Sequence, residues 1–269
     1  MAKAKAVAKK EVAGSMVLLQ PDEFEAPQDF NTDDLMIPFM VVLQKLSPQV
    51  DDSSSSYIKG AKAGMIFNSA TDELFDKIVV VPSIYVKRYI EWIPRDEGGG
   101  FVADHGADAT MLNGCTKDDR GRDVLENGNH IVPTGTYYVL LVNPNGAMER
   151  VVIGMAVTQL KVSRKWNTLM STIKIQDPRE GAPKGSMVSP PLYWNAFELT
   201  SVPDENKKGQ RWESWGVVKL DTPVLEMPNG DTLFVAAREF RQAVVQGIVK
   251  VASPTDSTGT GTADKDIPF

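Results

Sequence analysis

The chain has 269 residues, of which 42% are hydrophobic and 24% charged, and carries a net charge of −6. This is the composition of an ordinary globular domain and excludes a chain that is disordered throughout. No apolar run approaches the ~18 residues of a membrane span, and a single cysteine, Cys115, excludes a disulfide framework and favours a reducing compartment.

The acidity is concentrated at the ends. Residues 1–34 carry four Lys and seven Asp or Glu, and residues 251–269 carry three Asp and one Lys, which leaves about −1 for residues 35–250. Any nucleic-acid site on this body must therefore be a local basic face. The N-terminus has Lys3, Lys5, Lys9 and Lys10 but no apolar segment of signal-peptide length, so a cytoplasmic location is expected.

In chain order, residues 1–34 read as a flexible arm, Ala/Lys-rich and then acidic with Pro21 and Pro27. One ordered domain is expected over 35–250, opening on the apolar run 35–43. Ser53 to Ser56 form a solvated loop, and a short strand is expected at 65–67. Residues 77–92 give the strongest strand signal, being long and rich in β-branched and aromatic residues; Pro82 within them suggests an edge or a bend. Gly98, Gly99 and Gly100 open a polar insertion near 95–135.

Strands at 137–142 and 150–157 flank Asn143-Pro144-Asn145-Gly146, a hairpin turn. Val162, Trp166, Leu169, Met170 and Ile173 then recur at helical spacing, which predicts an amphipathic helix over 159–173. After a Pro/Gly loop at 177–190, strands at 192–200 and 211–220 enclose a loop carrying Lys207 and Lys208. A last helix is expected over 231–250, with Leu233, Ala237, Phe240, Val244 and Ile248 on one face. The fold class is thus mainly β with accessory helices. Strands with one helix before a closing hairpin suit an oligonucleotide-binding (OB) barrel plugged by that helix; a β-sandwich would leave the helix unexplained.

Candidate chemistry follows from the strand period. Tyr85, Lys87 and Tyr89 share one face of the 77–92 strand, an aromatic–basic–aromatic row suited to stacking unpaired bases and meeting the phosphate between them. The same row also suits a plain solvated face. In the hairpin, Trp194 shares a face with Glu198 and is expected to be exposed. Arg211, Trp215 and Lys219 share one face of the return strand, and Trp212, placed on the other, is expected in the core. Arg164 and Lys165 sit on the polar side of the helix, available to phosphates or to surface ion pairs, whereas Trp166 belongs to its apolar stripe.

Catalytic signatures are lacking: there is no phosphate-binding Gly loop, no His-Glu-x-x-His and no paired Cys. A metal nuclease could be assembled only from scattered groups such as Asp104, His105, Asp108, Asp118 and Asp119. A non-enzymatic protein without cofactor or metal is expected.

The tail, 251–269, is Ser/Thr/Gly-rich and has too little apolar surface to fold alone. It ends in Asp266-Ile267-Pro268-Phe269, an apolar wedge beside carboxylates, suited to a pocket with a basic rim. This tip resembles that of bacterial single-stranded DNA-binding proteins. With the strand order and the basic hairpin, the chain is similar to phage members of that class, built on an OB core with an acidic tail.

The resemblance implies nonspecific binding of single-stranded DNA in phage replication or recombination, within the host cytoplasm. It also implies recruitment of partner enzymes through Asp264, Asp266, Ile267, Pro268 and Phe269, and leaves homo-oligomerisation open. Lys265 departs from the family's unbroken acidic run. The competing class is a phage virion structural or decoration protein without DNA affinity.

Overall fold

A computed structural model of the protein describes residues 36–249. Three short strands, β1 (Met40–Val42), β2 (Ile66–Asn68) and β3 (Leu74–Phe75), form a small antiparallel sheet. The β-branched run predicted as a strand becomes β4 (Lys77–Trp92) with the expected bounds. The insertion that follows is not featureless: it holds β5 (Phe101–Asp104), β6 (Thr116–Lys117) and β7 (Asp123–Val124). Next come β8 (His130–Val142) and β9 (Met148–Ala156), then helix α1 (Leu160–Thr172). The Pro/Gly loop contains a minimal hairpin of β10 (Ile175–Gln176) and β11 (Met187–Val188). The chain continues through β12 (Asn195–Glu205) and β13 (Arg211–Pro223) to α2 (Gly230–Val245), which ends five residues short of the expected stop.

The five long strands lie in the order β13-β12-β4-β8-β9, all antiparallel, in one curled sheet. One edge of β4 pairs with β8 along almost its whole length; the other is shared, Lys77–Val80 with β12 and Ile90–Trp92 with β5. Pro82 therefore does not mark an edge strand. It has no N–H to donate, and the ladder to β12 ends before it while the register to β8 slips between Pro82 and Ile84. The resulting bulge bends the longest strand along the curl of the sheet.

Each face of this sheet has its own core. Inside the curl, Ile78, Val80, Val139, Leu141, Val151, Ile153, Phe197 and Leu199 pack together, and α1 closes one end by inserting Trp166 and Met170. Trp166 stacks on Tyr137 with centroids 4.1 Å apart and planes 22° from parallel, and meets Phe197 edge-on at 5.6 Å. The Tyr137 hydroxyl lies 2.9–3.0 Å from the Ser163 carbonyl, the Ser163 hydroxyl and Asn167 Oδ1. Burial pushes this phenol far above its usual range, with the Ser163 hydrogen bond opposing. Gly135 allows the approach, because a Cβ there would lie 2.5 Å from Ser163 Oγ. On the outer face, α2 lays Leu233, Ala237 and Phe240 over Val81, Tyr138, Leu140 and Val152.

The seam between β9 and β13 is closed by other means. Phe39 bridges Val152 in parallel, and the Val152 N–H donates to the Pro38 carbonyl. On the β13 side, two glutamine side chains replace a neighbouring strand. Gln44 accepts from the Glu213 N–H and donates to its carbonyl, both at 2.9 Å. Gln159 donates to the same carbonyl at 3.2 Å and accepts from the Ser214 hydroxyl and the Trp215 N–H. Buried backbone groups that would otherwise be orphaned are thereby satisfied.

The insertion is pinned to β4 by a buried carboxylate. Glu91 accepts from Asn129 Nδ2 at 2.5 Å and Asn127 Nδ2 at 3.2 Å, and lies 2.8 Å from His105 Nε2. Burial pushes the Glu91 carboxyl up; the hydrogen bonds from Asn129, His105 and Asn127 outweigh it and hold the group below its ordinary value. Beside it, the Arg88 guanidinium holds both oxygens of Asp104 and donates to the Tyr138 hydroxyl.

Replacing Gln159 by Ala is expected to cost about 1–3 kcal/mol, because the Trp215 N–H loses its acceptor. Urea unfolding measures this, and an unchanged midpoint would show that the seam does not depend on the amide. Glu91 supplies stability that is complete above the ordinary glutamate range, where the unfolded chain is also ionised, and is lost as the pH falls through the lower value at which the folded carboxylate protonates. Thermal melting between pH 3 and 7 should show an acid limb that is shallower in Glu91→Gln.

Candidate nucleic-acid interface

The row Tyr85-Lys87-Tyr89 does not form an exposed platform. Tyr85 turns into the curl of the sheet, 4.9 Å from the Tyr137 ring, drawn there by the same aromatic cluster that seats α1. Tyr89 is buried because the insertion folds back over it: its N–H donates to the Gly106 carbonyl and its carbonyl accepts from the His105 N–H. Only Lys87 is exposed, with Nζ 5.2 Å from the Tyr89 ring.

The hairpin faces are the reverse of the expectation. Trp215 is 4% exposed and belongs to the core inside the curl with Val217, so it cannot stack on a base. Trp212, expected in the core, lies half-buried on the outer face. Strand alternation separated the two correctly, but which side faced inward depended on how the sheet curls. Trp194 is not exposed either; it is half-buried in the turn Leu192–Trp194, edge-on to Phe234 at 6.3 Å. Lys219 pairs with Phe197 in register and donates to the neighbouring Leu220 carbonyl. Eight register positions separate it from Arg211, roughly 25 Å at about 3.3 Å per residue, so Lys219 and Trp194 lie away from the hairpin tip.

The remaining candidates do converge. Asn206 shapes the tip: its Oδ1 accepts from the Lys208 and Gln210 N–H groups, and Gly209 takes φ +77 to complete the turn. Lys207 and Lys208 project from it, fully in solvent. Arg211 follows, exposed and paired with Glu205 at 2.7 Å. The first turns of α1 meet this end of the hairpin through an ion pair between Lys161 and Asp204. Arg164 and Lys165, three and four residues on, continue the exposed stripe of α1, since its buried side is fixed by Ser163, Trp166 and Met170.

The site so built carries six cations (Lys161, Arg164, Lys165, Lys207, Lys208 and Arg211) against two carboxylates, Asp204 and Glu205. Among the described residues, Arg164, Lys165, Lys207 and Lys208 make no ion pair. Trp212 supplies the aromatic surface, and its Nε1 is buried without a partner, so the ring offers no polar atom to solvent. Lys161 Nζ lies 5.8 Å from the centre of that ring. The sequence reading missed Lys161, Asp204 and Trp212. The helical spacing of Lys161 with Arg164 and Lys165 was a visible signal; the opposition of Asp204 to Trp212 needed the hairpin register.

The acidic groups of the insertion have other partners. Asp104 holds Arg88, and His105 holds Glu91. Asp118 holds Arg122, and the Arg122 N–H bond and guanidinium bring its carboxyl down to about 2. Asp108 accepts from the N–H and hydroxyl of Thr110. Among the described residues, no three His, Cys, Asp or Glu side chains are grouped to hold a metal ion, and no helix is long and apolar enough to cross a membrane. The proposed partner tip, Asp264, Asp266, Ile267, Pro268 and Phe269, lies outside the described residues, as does the N-terminal Lys cluster.

No curated protein and no solved structure matches the chain. The model of one family, the Pam3 phage gp34-like proteins, matches residues 9–250. With nearly the whole chain covered, the protein belongs to the Pam3 phage gp34-like family.

Proposed function

We propose that this protein binds single-stranded DNA without sequence preference, through the face formed by α1 and the β12–β13 hairpin. The observation that carries the reading is topological. Numbered in chain order, the five long strands lie 5-4-1-2-3, with a helix between the third and fourth that fills one end of the curl. That order and that helix are those of an OB barrel, a fold repeatedly used for oligonucleotides. The chemistry of the face agrees: four cations without ion pairs beside one apolar ring suit a backbone of phosphates and bases with bare faces.

Fold alone does not assign function, so the reading is tested at the face. Single-strand binding protects DNA during phage replication or recombination in the host cytoplasm. In the same reading the Asp-Ile-Pro-Phe tip recruits the enzymes that act on the strand.

Titration of the protein with oligo-dT should quench tryptophan fluorescence, with affinity falling as salt rises and a much weaker response to matched duplex. Each phosphate contact contributes about 0.7 to the salt slope on single strands. Arg164→Gln and Lys165→Gln should therefore each lower the slope by about that amount, whereas Lys87→Gln should leave it unchanged. Absence of quenching at low salt would overturn the reading in favour of a virion structural role. Deletion of 264–269 should leave oligo-dT affinity equal or tighter while abolishing capture of partner enzymes; retained capture would remove the tip from the mechanism.

A further inference from the structure

Within the proposed face, one cation differs from its neighbours. Lys161 is held by Asp204, and its ammonium group lies above Trp212, the residue directly opposite Asp204 in the hairpin register. The contact joins two elements 43 residues apart in sequence and covers the one aromatic ring of the site. We propose that Lys161 and Asp204 form a displaceable cover over a base-stacking platform made by Trp212. This inference rests on the single-strand reading above and assigns roles to three residues within it.

The geometry makes the two states exclusive. A cation within about 6 Å of a ring centre occupies the place where a base would stack. For a base to enter, Lys161 must swing off the ring and exchange the Asp204 carboxylate for a backbone phosphate. Its side chain is 58% exposed, so the movement needs no repacking. The hydrogen bond from Lys161 keeps the Asp204 carboxyl below its ordinary value, so it remains ionised and competes at neutral pH.

Asp204 thus stands in for phosphate when the site is empty. A duplex presents no bare base to take over the ring, so the cover stays closed against it. The cover weakens all binding slightly and duplex binding most, which is a source of selectivity rather than of affinity.

The test is a double-mutant cycle on the full chain with labelled oligo-dT. Asp204→Asn keeps the shape and removes the competitor, and should tighten binding about two- to fivefold, the range of an exposed ion pair. Asp204→Ser should give the same gain. In a Lys161→Gln background the gain should vanish, because no cover remains to be released. A gain that persists in that background is general charge removal and overturns the cover, as does no gain with Lys161 present. Both results leave single-strand binding by the unaltered protein intact. Failure of the unaltered protein to bind oligo-dT overturns the functional reading and the cover together.

Discussion

The stack of Trp166 on Tyr137 is the contact around which the rest of the molecule is arranged. A curled sheet leaves an open end whose interior surface must be covered. Here a helix covers it, anchored by an indole inserted between Tyr137 and Phe197. That insertion fixes the rotation of α1. With Ser163, Trp166 and Met170 turned inward, Lys161, Arg164 and Lys165 have no choice but to face out beside the hairpin. It also recruits Tyr85 into the interior aromatic cluster. One packing event thereby creates the basic face and cancels the alternative one on β4.

How much of this was legible follows from the kind of signal each element carries. The strand β4 and the helix α1 were readable nearly to the residue, because β-branched runs and a 3.6-residue stripe are local patterns. The order of the long strands within the sheet was not legible, because the pairings of β4 with β8 and β12 join segments far apart in sequence. What failed was facing. Alternation put Trp212 and Trp215 on opposite sides of β13, but nothing in the local sequence says which side a curled sheet will enclose. Tyr89 failed for a different reason: it is covered by a segment 16 residues further on, whose folding is set by Glu91, His105, Asn127 and Asn129 acting together. Glu91, at the end of the Tyr85–Tyr89 row, is the buried hub that ties the insertion down.

Charge behaves similarly. The chain is acidic overall, yet several of its acidic groups are committed to a neighbouring cation: Asp104 to Arg88, Asp118 to Arg122, Glu205 to Arg211. Where the helix meets the hairpin, four cations, Arg164, Lys165, Lys207 and Lys208, have no ion pair among the described residues. Net charge therefore says little about what this surface attracts, because the field near a ligand is set by what is left unpaired there.

The glutamine seam carries a consequence for how the chain is made. Gln44 and the Glu213 backbone it holds are 169 residues apart. A ribosome delivers the N-terminal partner first, so β1 must wait for most of the domain to be synthesised before its neighbour exists. During that interval the free edge of β9 is already met by the segment before β1, through the Phe39–Val152 bridge and the Val152 N–H bond to the Pro38 carbonyl. Closure is the longest-range step of the architecture and among its last. The newborn protein passes through a stage in which the sheet is curled but its seam not yet sewn.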